Sequence, residues 1–130
     1  MMELVEDGMC FACGKLNASG LRLQFSFRPH EARTTFVPGK IHQGYSGIMH
    51  GGIMSTLLDE AMAWAALNMG LQVLTAELTV RFKKPVRIGD EIRIIGRLKD
   101  SHGKIVHAEA EARDSDDAIL ATATARLVRV

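Results

Sequence analysis

The sequence has no charge excess, no membrane-length apolar run and no second cysteine pair. Its 16 basic and 15 acidic residues leave a net charge of +1, which argues against a general nucleic-acid binder, because such domains carry a basic excess. The longest strongly apolar stretch, 53–67, is broken by Ser55, Thr56, Asp59 and Glu60. It falls short of the roughly 20 apolar residues that a bilayer span requires, so no membrane partner is expected. Residues 1–9 carry Glu3, Glu6 and Asp7 and have neither the basic start nor the apolar middle of a secretory signal. A cytoplasmic location is the expectation. The only cysteines are Cys10 and Cys13, in Cys-Phe-Ala-Cys. A structural zinc site takes four ligands, and neither a second CxxC nor a close histidine pair supplies the rest. The βαβ pattern that would suggest a redox CxxC is missing too. The pair is expected to pack in a loop and no metal site is assigned, with metal binding between subunits as the alternative.

What is present suits one domain, 1–130. Hydrophobic residues make up 47% of the 130, and a chain of this length buries roughly two-thirds of its unfolded surface. Alternation predicts a half-buried strand over 21–28, with Leu21, Leu23, Phe25 and Phe27 on one face. A turn at Pro29-His30-Glu31 and a strand over 32–37 follow. The stretch 38–50 holds Gly39, Gly44 and Gly47 and reads as a long loop, of the kind that often carries function in a small domain.

The next segment, 52–68, places Ile53, Met54, Leu57, Leu58, Ala61, Met62, Ala65 and Ala66 at helical spacing, and Gly70 is a plausible stop. A helix this apolar is buried on most sides. Strands are predicted over 73–83, 91–99, 105–113 and 120–130. In the first of these, Leu78, Val80 and Phe82 alternate with Glu77, Thr79 and Arg81. Val106, Ala108, Ala110 and Ala112, with Ala121, Ala123 and Ala125, form faces of small side chains that a helix can approach closely. One buried helix and about six antiparallel strands lead to an α+β class in which the sheet wraps the helix.

Two features at that helix could carry chemistry. His50-Gly51-Gly52 stands where the helix opens, and its first N–H groups lack intrahelical partners. Partial positive charge gathers there, and glycine lets a carbonyl come close. The turn could therefore stabilise a developing oxyanion, or the glycines could only make a tight turn. Asp59, about two helical turns beyond Gly52, is an acid on a mostly apolar helix, costly to bury without a partner or a purpose. Burial would make it a better base. It could activate water or attack a carbonyl directly. Glu60 is turned about 100° away, and a salt bridge or subunit contact is expected of it. Arg81, Lys83, Lys84 and Arg87 form the densest basic run.

The segment from His42 through His50-Gly51-Gly52 to Asp59-Glu60-Ala61 resembles the hotdog thioesterases of the PaaI-like, 4-hydroxybenzoyl-CoA thioesterase type. The shared pattern is HGG and then a helical carboxylate nine positions after the histidine. Arg81-Phe82-Lys83-Lys84-Pro85 with Gly89-Asp90 resembles the strand and turn that follow the helix. Cys10-Phe11-Ala12-Cys13-Gly14, with Asn17 and Gly20-Leu21, looks like the amino-terminal signature of one bacterial subgroup.

The resemblance implies a hotdog fold, an antiparallel sheet around one long helix. It also implies hydrolysis of an acyl- or aryl-CoA thioester, with coenzyme A as part of the substrate and no separate cofactor. By the same resemblance, the Gly51 N–H polarises the thioester carbonyl, Asp59 is base or nucleophile, and His50 mainly orients the loop. Relatives carry an Asn or Gln before HGG that holds the carbonyl. Here Gly44 stands six positions before His50 with Gln43 beside it, so Gln43 is the candidate. Thr75 is the nearest match to a strand hydroxyl that contacts the water. Gly52 and the basic residues Arg81, Lys83, Lys84 and Arg87 would meet coenzyme A and its phosphates. The family also implies a homodimer, extending to a homotetramer, with a pocket completed by a second subunit. Two other classes stay open: a non-catalytic acyl-CoA-binding module, against which Asp59 counts, and a hotdog dehydratase or hydratase, whose different motif is not seen.

Overall fold

The computed structural model describes residues 2–130; Met1, part of the amino-terminal reading above, lies outside the described residues. The element order is β1 (Ser26–Arg28), β2 (Glu31–Phe36), a short 3-10 turn (Lys40–His42), α1 (Gly51–Leu67), β3 (Val73–Phe82), β4 (Ile92–His102), β5 (Ile105–Arg113) and β6 (Ile119–Arg129). All strand pairs are antiparallel, in one sheet ordered β1-β2-β4-β5-β6-β3. The sheet curves around α1, which is the hotdog arrangement expected.

The helix seats on the sheet because the sheet is nearly bare beneath it. Ala32, Gly96, Ala110, Ala123 and Val80 are successive cross-strand partners and run as one row over five strands. A Cβ on Gly96 would lie 2.4 Å from the Ala61 backbone, so only glycine lets α1 come this close. Leu57, Leu58, Ala61, Met62 and Ala65 are fully buried against this surface. Shortening a leucine there to alanine would cost about 2–5 kcal/mol. The opposite face of α1, with Ser55, Thr56, Asp59, Glu60 and Ala63, is only half-buried in the single chain. The helix is thus less enclosed than its apolar composition implied.

Two boundaries depart from the sequence reading. The strand expected over 21–28 is regular only at Ser26–Arg28. Upstream, Leu21 and Leu23 are buried as the alternation required, but their N–H groups donate to Phe11 O and Ala12 O instead of to a strand. The amino-terminal segment takes the place of a neighbouring strand, and no local pattern announces that. Strand β4 runs on to His102, beyond a bulge between Leu98 and Asp100.

Candidate active site

His50 is the N-cap of α1. Its Nδ1 accepts a 2.8 Å hydrogen bond from the Gly52 N–H, satisfying one orphan donor of the first turn. Ile53 and Met54 donate to the His50 carbonyl. The Gly51 N–H makes no hydrogen bond to any described residue. His50 thereby ties down the Gly52 amide, while that of Gly51 stays unengaged.

Gly51 opens onto a groove of about 280 Å³ lined by Met49, Met54, Phe82, Lys83, Lys84 and Val86, with Pro85. The Phe82 ring would be 3.4 Å from a Cβ on Gly51, so the ring packs beside the helix start. Phe82, half-exposed at 58%, and the methionines were not among the residues singled out from sequence. The signal for Phe82 was the alternation of Leu78, Val80 and Phe82, which puts it on the helix side of the sheet. Lys83 and Lys84 are fixed at the rim because both backbone N–H groups donate to Leu120 O.

The other basic residues separate. Arg81 faces the outer side of the sheet, in a cavity with Arg97, Glu109 and Glu111. Strand alternation puts it opposite to Phe82, and β3 ends at Phe82, so Lys83 does not follow Arg81 to the outer face. Arg87 bridges to Ile48 in the long loop and lines a neighbouring depression with Lys84 and Pro85.

Gln43 spends its side-chain oxygen inside the loop, where Oε1 accepts from the Gly47 N–H at 3.1 Å. Gly47 has φ +80°, so the glutamine braces a turn that needs glycine. Gly44 packs against His50, whose Cα would be 3.5 Å from a Cβ there.

Asp59 lies two turns into α1, half-buried. Thr75 Oγ1 donates to its Oδ1 at 2.7 Å. The pairing depends on a bulge. Strict alternation puts Thr75 on the outer face with Glu77 and Thr79, but the register of β3 against β6 shifts between Thr75 and Glu77. Thr75 then lies opposite Leu127, a fully buried residue, while Glu77 pairs with Arg126. One extra residue turns the hydroxyl toward the helix.

Glu60 leaves α1 on another side, as its rotation required. No ion pair among the described residues includes it; the expected salt bridge is not made within the chain. Cys10 Sγ lies 4.0 Å from Glu60 Oε2. Burial pushes the Glu60 carboxyl up from the ordinary glutamate value. Burial, the neighbouring Cys10 and the charge of Glu60 push the Cys13 thiol up to about 12. Trp64, one turn beyond Glu60, buries its Nε1 close to Cys13 and Glu60 without a well-formed hydrogen bond to either.

A family model described as "Thioesterase superfamily" matches residues 46–121, more than half of the chain, from the long loop through the start of β6. The chain belongs to the thioesterase superfamily. Acyl-coenzyme A thioesterase THEM4 of Xenopus laevis is 32% identical over 96 residues, covering 73% of this chain and 43% of that protein. THEM4 of Bos taurus is 31% identical over 120 residues, covering 91% and 49%. The chain thus spans about half the length of these curated relatives. Among solved structures, a crystallised thioesterase superfamily protein superposes with TM-score 0.87 at 22% identity, covering 93% of this chain and 60% of that one. The Escherichia coli PaaI protein of the phenylacetic acid degradation operon superposes with TM-score 0.80 at 20% identity and covers 84% of each chain. A Streptococcus mutans protein crystallised with acetyl CoA gives 0.79 at 20% identity, with 83% and 88% covered. These likenesses carry the hotdog fold across the superfamily chain.

Proposed function

We propose that the chain hydrolyses the thioester of an acyl- or aryl-coenzyme A to the free acid and coenzyme A. The observation that carries this reading is an unengaged Gly51 N–H at a helix start, together with a threonine-held carboxylate two turns along the same helix. The Gly51 N–H donates to the thioester oxygen and stabilises the charge that grows there in the tetrahedral intermediate. Asp59 takes a proton from water as the water oxygen bonds to the carbonyl carbon. The carbon–sulfur bond then breaks, and coenzyme A leaves as a thiolate that picks up the proton. Thr75 fixes Oδ1, leaving Oδ2 to face the water. Lys83 and Lys84 meet the phosphates of the coenzyme, and Met54 and Phe82 flank the acyl end. Coenzyme A enters with the substrate, and no separate cofactor takes part.

The working unit is a homodimer, which can pair further into a homotetramer. Gly51 and Asp59 are eight positions apart, about 12 Å along the helix axis. A carbonyl must sit about 3 Å from both its oxyanion donor and its attacking group. The Gly51 of one protomer therefore serves the Asp59 of a second copy. Strand β3 ends the sheet and pairs only with β6. A second β3 on this ten-residue edge would cover it and bring the half-buried faces of two α1 helices together. No helix among the described residues is long and apolar enough to cross a membrane. Two free cysteines fit a reducing, cytoplasmic setting. No nucleic-acid partner is proposed.

Thiol release from a panel of acyl-CoAs, from acetyl to long-chain and aryl, tests the reading, with light scattering on the same sample. Turnover by a dimer or tetramer is expected. Tight acyl-CoA binding without hydrolysis would instead favour a binding module, and an active monomer would overturn the shared site.

A further inference from the structure

The fold supplies Cys10 and Cys13 with the third donor that the sequence does not place beside them. The cysteines share a turn closed by the Gly14 N–H, which donates to Cys10 O at 2.8 Å. The Cys13 N–H donates to Cys10 Sγ at 3.4 Å, which fixes the two side chains within one turn. Gly14 is required here, because a Cβ on it would lie 2.4 Å from Cys10 N. Across from the turn stands Glu60. The two sulfurs and a Glu60 carboxylate oxygen lie within 4.8 Å of one another, and all three residues are half-buried. Neither cysteine is in a disulfide.

Zinc binds sulfur at about 2.3 Å and carboxylate oxygen at about 2.0–2.2 Å in a tetrahedron, which sets its donors about 3.3–3.8 Å apart. Closing the cluster onto an ion therefore requires movements of about 1 Å. Two further facts point to a ligand. Glu60 is a half-buried carboxylate that makes no ion pair among the described residues. The buried, unpartnered Trp64 Nε1 lies one turn away and can donate to a water or carboxylate oxygen in the cluster.

We propose that Cys10, Cys13 and Glu60 bind a thiophilic divalent cation of the zinc class, with water as the fourth ligand. Binding releases two thiol protons to solvent and leaves two metal–thiolate bonds and one metal–carboxylate bond. The site clamps the amino-terminal segment onto α1. That segment carries Phe11 O and Ala12 O, which hold Leu21 and Leu23 in the core. The ion takes no part in the hydrolysis assigned to Asp59.

The full chain, stripped with a chelator and kept reduced, is titrated with cobalt(II) and then zinc. Thiolate-to-cobalt charge-transfer absorption should saturate at one cobalt per chain and vanish as zinc displaces it. Cys10→Ser and Cys13→Ser should each abolish it. Glu60→Gln, which keeps the side-chain shape, should weaken cobalt binding by at least about tenfold while its metal-free circular dichroism matches the parent. Zinc should slow proteolysis within residues 2–20 in the parent and not in Glu60→Gln. Absence of a saturable charge-transfer band would overturn the site, and so would parental cobalt affinity in Glu60→Gln. The Glu60 variant decides the matter even if the cysteine variants fold poorly.

Discussion

Thr75 Oγ1 and Asp59 Oδ1 meet at 2.7 Å across sixteen positions of sequence, through a bulge that puts the threonine on the helix side of an edge strand. The strand exists to pair with β6, yet one irregular residue makes it serve the carboxylate.

That pairing sets the first expectation. Asp59→Asn keeps size and most hydrogen bonding and removes the carboxylate proposed as the base. Turnover should fall at least about a hundredfold with KM little changed and an unaltered circular dichroism spectrum. Thr75→Val should lower kcat by roughly tenfold, the scale of a hydrogen bond to a charged group, and Thr75→Ser should restore most of it. Steady-state kinetics on the best acyl-CoA decides both; a fully active Asp59→Asn would remove Asp59 from the mechanism.

The rim lysines differ from the arginine two positions upstream. Lys83→Ala with Lys84→Ala should raise KM for acyl-CoA and leave kcat near the parent value. Added salt should narrow the gap, because exposed charges are screened. Arg81→Ala, on the outer face of the sheet, should leave KM unchanged. Equal KM increases in the two variants would place the coenzyme elsewhere.

Gly96 tests the packing of helix on sheet. Gly96→Ala puts a methyl group where the Ala61 backbone already lies, and neither main chain can give way cheaply. A loss of about 1–3 kcal/mol is expected, read from denaturant unfolding. A variant as stable as the parent would mean that α1 does not sit this close.

Glu31 links stability to pH. The Arg33 hydrogen bond, then the charges of Arg33 and Arg97, hold its carboxyl below the ordinary value of 4.5. A carboxylate with a lowered folded pKa binds fewer protons in the folded state. Its stabilisation is therefore complete above 4.5 and is lost as pH falls through the folded value. Thermal melts from pH 7 down to pH 3 should show a steeper acid loss for the parent than for Glu31→Gln. Identical acid slopes would show that the pair contributes nothing.

The sequence by itself determined the helix, five of the six strands, the His50-Gly51-Gly52 turn and the helical position of Asp59. All of these are local: a periodicity of two or 3.6, or a glycine pair at a helix start, is visible within a few residues. Tertiary structure decided what depends on register and on distant partners. Alternation alone would turn Thr75 away from the helix, and only the pairing of β3 with β6 introduces the bulge that reverses it. The basic run looked like one patch, but Arg81 and Lys83 part company where the chain leaves β3 and its backbone bonds to Leu120. Leu21 and Leu23 looked like strand residues, yet their partners are loop carbonyls ten or more positions upstream. Cys10, Cys13 and Glu60 are fifty positions apart at the widest, and they meet because the amino-terminal segment folds back over α1, a contact that no spacing in the chain encodes.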